Sequence, residues 1–156
     1  MVLETAMSMV DGGTALCILG NHENKLSRAL AGRNVTVSHG LAETLDQLNQ
    51  RTPEFRDQVA TFIDGLVSHY QLDDGDLVVA HAGLPERYQG RSSGRVRSIA
   101  LYGDTDGETD EFGLPVRYPW ARDYRGSATV VYGHTPVPTA DWLNKTICLD
   151  TGAVFG

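Results

Sequence analysis

At 156 residues, with 41% hydrophobic and 21% charged, the chain can build one domain around a real core and is neither disordered nor fibrous in composition. A net charge of −7 argues against broad, non-specific nucleic-acid binding, which needs basic surface to displace counterions; any such role is local, at a strand end. No apolar run approaches the roughly 18 residues that cross a bilayer, and Met1-Val2-Leu3-Glu4 lacks a secretory start, so no membrane association and a cytoplasmic location are expected.

In chain order, Ala6, Met7, Met9 and Val10 form the tail of an amphipathic helix closed by Asp11-Gly12-Gly13. The apolar run from Thr14 to Leu19 reads as a strand. A helix carrying Leu26, Ala29 and Leu30 follows and ends at Gly32, and a second helical piece, Ala42 to Leu48, holds Leu41, Leu45 and Leu48 in register. Between them His39 sits in a loop, as a bland loop residue or as one lining a cleft mouth. Thr52 then caps a longer helix, with Pro53 at the first position, where its missing N–H costs little. Phe55, Val59, Phe62, Ile63, Leu66, Val67 and Tyr70 recur at spacings of three and four, which extends this helix to Tyr70 and puts His69 on its last turn.

The acidic turn Asp73-Asp74-Gly75-Asp76 feeds a strand over 77 to 80. Three carboxylates near a glycine suggest calcium, but the twelve-residue loop spacing is absent, there and again over 104 to 111. Residues from about 85 to 126 read as a substrate-facing insert with few apolar repeats and many Gly and Pro. Arg87, Arg91, Arg95 and Arg97 fall close together, and guanidinium forks suit phosphate oxygens, although an exposed loop kept soluble by charge has the same composition. Tyr118, Trp120 and Tyr124 either stack on a base or pack the insert down. From Val130 onward the strands look joined by short turns, more β-meander than βαβ. Cys17 and Cys148 both sit in apolar strand-like runs and give neither a CxxC nor a disulfide framework, which fits a reducing compartment.

Chemistry concentrates where apolar runs end. Leu19-Gly20-Asn21-His22, Val79-Ala80-His81-Ala82-Gly83 and Tyr132-Gly133-His134-Thr135 each close a β-rich run and open a Gly- or Pro-marked loop, the place where α/β enzymes put their sites. An amide oxygen from Asn21 with the imidazoles of His81 and His134 is a ligand set for Mn, Ni, Fe or Zn, and leaves His22 as a candidate proton donor.

Gly20-Asn21-His22-Glu23, His81-Ala82-Gly83 and Gly133-His134-Thr135-Pro136 resemble three motifs of the calcineurin-like metallophosphoesterases. The 107 to 126 segment and Cys148 to Gly156 resemble one branch, the phosphatase domain of bacterial polynucleotide kinase-phosphatases. The resemblance implies an α/β (α+β) two-sheet sandwich flanked by helices, incomplete at both ends, with 1 to 156 forming part of the domain. It implies Asn21, His81 and His134 on the second of two metal ions, manganese or nickel ahead of iron or zinc. His22 then assists the leaving group, and Asp150 acts as an active-site carboxylate orienting a histidine.

The substrate implied is a phosphoester, at a polynucleotide end in nucleic-acid repair, with kinase and ligase domains in the intact protein. The alternatives are a dinucleoside-tetraphosphatase, a protein serine/threonine phosphatase, or an inactive truncated product. The family's Asp-x-His and Gly-Asp-x-x-Asp-Arg-Gly strand ends, which supply the first metal and the bridging carboxylate, do not occur in the sequence. Without that carboxylate the remaining metal has only neutral ligands, so this chain alone is expected to be nearly inactive.

Overall fold

The computed structural model describes every residue except Met1, His39, Phe112, Leu114 and Gly156, and only the backbone of Asp106. The expectation for His39 therefore lies outside the described residues. The chain forms two compact units, one up to Val67 and the other from Ser68 onward.

The first unit is helical. Helix α1 (Val2–Asp11) ends in the glycine pair read from the sequence: Gly12 N–H donates to Ser8 O, Gly13 N–H donates to Val10 O, and Gly13 takes φ 67, a left-handed value that suits glycine. Helices α2 (Asn21–Leu30) and α3 (Leu41–Asn49) follow, then α4 (Pro53–Gly65). Thr52 caps α4 as expected, its side-chain oxygen accepting from Phe55 N–H at 3.3 Å. Leu26, Leu41, Leu48, Val59 and Ile63 are buried, each burial stabilising the unit by roughly 1.5–3 kcal/mol. Ser27 Oγ donates to Asp64 Oδ1 at 2.7 Å and ties α2 to α4.

Two expectations fail in this unit. The apolar run over 14 to 19 is not a full strand: its described pairing is a single parallel bridge, Ile18 to Val67, with Leu19 N–H on Val67 O at 2.8 Å and Leu16 63% exposed. Helix α4 stops at Gly65, not Tyr70. Leu66 turns extended (φ −71, ψ 136) and Val67 enters that bridge, so the apolar residues beyond Gly65 continue a strand pattern that a three-to-four spacing had absorbed into the helix.

The second unit is a five-stranded mixed sheet with helices. His69 lies in strand β1 (His69–Leu72), which pairs antiparallel with β2 (Leu77–Ala80) through the acidic hairpin, where Asp73, Asp74 and Gly75 all take positive φ. The region read as a loop-rich insert contains helix α5 (Gly94–Tyr102), capped by Ser93, with Val96, Ile99, Ala100 and Leu101 buried. It also holds a hairpin, β3 (Thr105–Thr109) and β4 (Pro115–Arg117), and a short helix, α6 (Trp120–Asp123). Strand β5 (Thr129–Tyr132) follows, then β6 (Trp142–Leu143) and β7 (Thr146–Cys148).

The sheet order is β1-β2-β5-β7-β6. Strands β2 and β5 are parallel, as are β5 and β7, which corrects the meander expected from Val130 onward for β5, while β6 and β7 pair antiparallel through a short turn as that expectation had it. A parallel pair needs a crossover, and α5, the hairpin and α6 are that crossover. Three strands thus point their carboxyl ends to one edge of the sheet.

Candidate active site

The parallel register decides what meets at that edge. Val79 lies opposite Val131, and Tyr132 opposite Cys148, so the residues just past the strands are His81 on β2, His134 on β5 and Asp150 on β7. Gly133 N–H donates to His81 O at 2.9 Å, extending the ladder beyond the strands. The chain then bends sharply: Thr135 N–H donates to Gly133 O at 2.9 Å, closing a three-residue turn with His134 at its centre at φ 76. A left-handed non-glycine residue costs roughly 1–2 kcal/mol, a strain typical of functional positions.

That turn aims the ring of His134 at its neighbour. His81 Nε2 and His134 Nδ1 stand 3.0 Å apart, with ring centroids at 4.8 Å. Arg117 donates to His134 Nε2 at 3.1 Å and to Tyr102 O at 2.9 Å. Two imidazoles this close are also a donor set that suits a divalent transition metal. Among the described residues no group of three or more His, Cys, Asp or Glu side chains could hold an ion, so this unit brings two imidazoles together and no carboxylate cage.

Asp150 shares the edge. Its carboxylate accepts from Gly152 N–H at 3.0 Å, its carbonyl accepts from Val137 N–H at 2.9 Å, and among the described residues it makes no hydrogen bond to His134. It shapes the loop beside Gly133, where a Cβ would come within 3.2 Å of the Asp150 Cβ. Asn21 and His22 belong to the first unit, in the first turn of α2; His22 is exposed and borders a cleft of about 210 Å³ with Glu23, Lys25 and Leu41.

A cavity of about 450 Å³ opens beside His134, walled by Tyr118, Trp120, Tyr132 and Leu143. Trp120 is held from three sides: it lies tilted against Tyr132 at 5.2 Å, edge-on to Tyr124 at 5.8 Å, and against the Cα of Gly83. Tyr124 is buried and donates to Ala128 O at 2.8 Å, so it packs; Tyr118 is 51% exposed. Burial pushes the Tyr132 phenol and the Cys148 thiol up, so both stay neutral at the cavity.

The four clustered arginines do not line this cavity. Arg87 forms an ion pair with Asp104, Arg95 approaches it at 3.9 Å, both guanidinium groups lie over Tyr88, and Arg91 donates to Arg87 O at 3.3 Å. Arg97 is exposed on α5. The cavity arginines are instead Arg117 and Arg122. Density of arginine drew attention to the first group, whereas the usable signal was Arg117-Tyr118-Pro119-Trp120-Ala121-Arg122, two cations flanking two aromatic rings.

Two imidazoles thus meet at the carboxyl edge of a mixed sheet, beside a cavity lined by two arginines. The chain is 45% identical over 159 residues to the bis(5′-nucleosyl)-tetraphosphatase PrpE [asymmetrical] of Anoxybacillus flavithermus, covering 99% of this chain and 65% of that protein. It is 43% identical over 158 residues to the protein of the same name from a Geobacillus species, covering 99% and 64%.

A crystal structure of a candidate diadenosine tetraphosphatase superposes with TM-score 0.60 at 24% identity, covering 96% of this chain and 64% of that one, which shows a shared fold. No family model matches. The chain is similar in sequence to these PrpE-named tetraphosphatases and spans 57–65% of the length of the curated relatives it matches. These relatives do not support the polynucleotide kinase-phosphatase branch or a role in RNA repair. Among the described residues no helix is long and apolar enough to cross a membrane.

Proposed function

We propose that this chain is part of a metal-dependent hydrolase acting on dinucleoside polyphosphates, within one calcineurin-like domain of the two-sheet kind. The observation carrying this reading is the likeness, along 99% of the chain, to proteins named for that substrate class. It replaces polynucleotide ends as the favoured substrate; the resemblances over 107 to 126 and 148 to 156 are what speak for the latter.

In this reading His81 and His134 hold one divalent ion, manganese or nickel ahead of iron or zinc. On the motif resemblance Asn21 supplies an amide oxygen to the metal and His22 a proton to the leaving oxygen, while Asp150 serves by fixing the loop after β7. A bound ion of this kind polarises phosphoryl oxygens and lowers the pKa of a coordinated water. The protein's own contribution is to fix two imidazoles at the spacing described and to offset phosphate charge with Arg117.

The test compares diadenosine tetraphosphate, a 3′-phosphorylated oligonucleotide and p-nitrophenyl phosphate as substrates of the intact gene product with manganese or nickel. Preference for the dinucleotide by tenfold or more is expected. Equal, low turnover on all three, or preference for the oligonucleotide, would overturn the assignment.

A further inference from the structure

We infer that the cavity beside His134 is a nucleoside 5′-phosphate pocket, with the base against Tyr118 and Trp120 and the phosphate on Arg117 and Arg122. This deepens the reading above and rests on it for the substrate class. At about 450 Å³ the cavity has the size of small-molecule sites, and it lies wholly within the second unit.

Its charge is what selects an anion. Three charged residues line it, Asp104, Arg117 and Arg122. Asp104 is 4% exposed and offset by two cations, Arg87 and Arg95. Arg117 and Arg122 have no carboxylate within 4 Å among the described residues. In a chain of net charge −7, two uncompensated guanidinium groups on one concave wall form a local anion site. Arg117 is also held in place, by Tyr102 O and by lying across Gly103, where a Cβ would come within 3.2 Å of its Cδ.

Its walls are what select an aromatic ring system over a bare phosphate. Trp120 is braced by Gly83, Tyr124 and Tyr132, so it offers a rigid face at small entropic cost, and Tyr118 stands half-exposed at the cavity. Stacking on such rings tolerates any base, and arginine reinforces it through its cation–π contact. A ligand with a flat apolar end and a dianionic end a few bonds away matches both halves of the lining.

Binding to the purified chain, with chelator present to remove metal, is measured by titration calorimetry for AMP, ribose 5-phosphate and inorganic phosphate. AMP is expected to bind about tenfold tighter than ribose 5-phosphate. Tyr118→Ala removes that advantage and leaves ribose 5-phosphate unchanged; Arg117→Gln weakens both, and Arg122→Gln does so to a smaller degree, in variants whose melting matches the parent. AMP binding no tighter than ribose 5-phosphate would overturn the pocket while leaving the hydrolase reading standing. AMP affinity unaltered in both Tyr118→Ala and Arg117→Gln would overturn it as well. A dinucleotide that fails as substrate while AMP binds as described would remove the hydrolase reading and keep the pocket.

Discussion

Nδ1 of His134 faces Nε2 of His81 across 3.0 Å, while the other nitrogen of the same ring accepts from Arg117 at 3.1 Å. His134 is therefore the joint between the imidazole pair and the cationic wall. His81→Ala and His134→Ala are each expected to lower manganese or nickel affinity at least tenfold by calorimetry, and Asn21→Ala to lower it less. Unchanged affinity in both histidine variants would remove the metal assignment from this edge of the sheet.

Gly83 follows the first of these histidines by two residues and has φ 84, and a Cβ there would stand 2.2 Å from Trp120 Cζ2. Gly83→Ala combines backbone strain with displacement of the indole, and is expected to cost about 2 kcal/mol or more in urea unfolding. The folded fraction should also show an altered tryptophan emission. A variant of parental stability and emission would mean Trp120 is not braced there.

Asp104 is buried between two arginines that are themselves largely exposed, with side-chain exposures of 5%, 62% and 71%. Asp104→Asn keeps the shape and removes the charge, with an expected loss of about 1–2 kcal/mol, the solvent around both guanidinium groups limiting the effect. The same change leaves Arg87 and Arg95 unneutralised beside the cavity, so inorganic phosphate should bind more tightly. Weaker phosphate binding would contradict the charge accounting given for the cavity.

His69 supplies a pH dependence. Burial holds its imidazole below the ordinary value near 6.5, so as pH falls the unfolded chain takes up the proton first. Its contribution to stability is complete above about pH 6.5 and is lost below it. The parent should thus lose more melting temperature between pH 7.5 and pH 5.5 than His69→Gln does. An equal loss in both would assign the acid sensitivity to other groups.

Local signals carried much of this structure. Thr52 with Pro53, the Gly12-Gly13 stop and the apolar stripe through Leu26 announce their elements because each follows from backbone chemistry within one or two turns. Both His81 and His134 were legible as strand-end residues for the same reason. Three things were not. The apolar spacing from Phe55 to Tyr70 suits a helix throughout, and only Gly65 marks where a strand takes over. Helix α5 lay hidden because Arg95 and Arg97 alternate with its buried residues, and its apolar face becomes evident only against Ala82, whose N–H donates to Ala100 O at 2.7 Å. The pairing of Arg87 with Asp104 links residues 17 apart and has no local signature, so a phosphate-gripping arc and an internal ion pair looked alike.

Because β2 and β5 are direct neighbours, the separation of the two imidazoles is fixed by a single interstrand spacing and is insensitive to the long excursion the chain makes between them. That excursion carries Arg117, Tyr118 and Trp120, the groups facing the cavity. On the function proposed above, reactivity and selectivity are accordingly written on separable parts of the polypeptide. Exchanging the 84 to 128 stretch for another of different rings and charges would redirect what is bound while the pair of nitrogens stays where the sheet holds it.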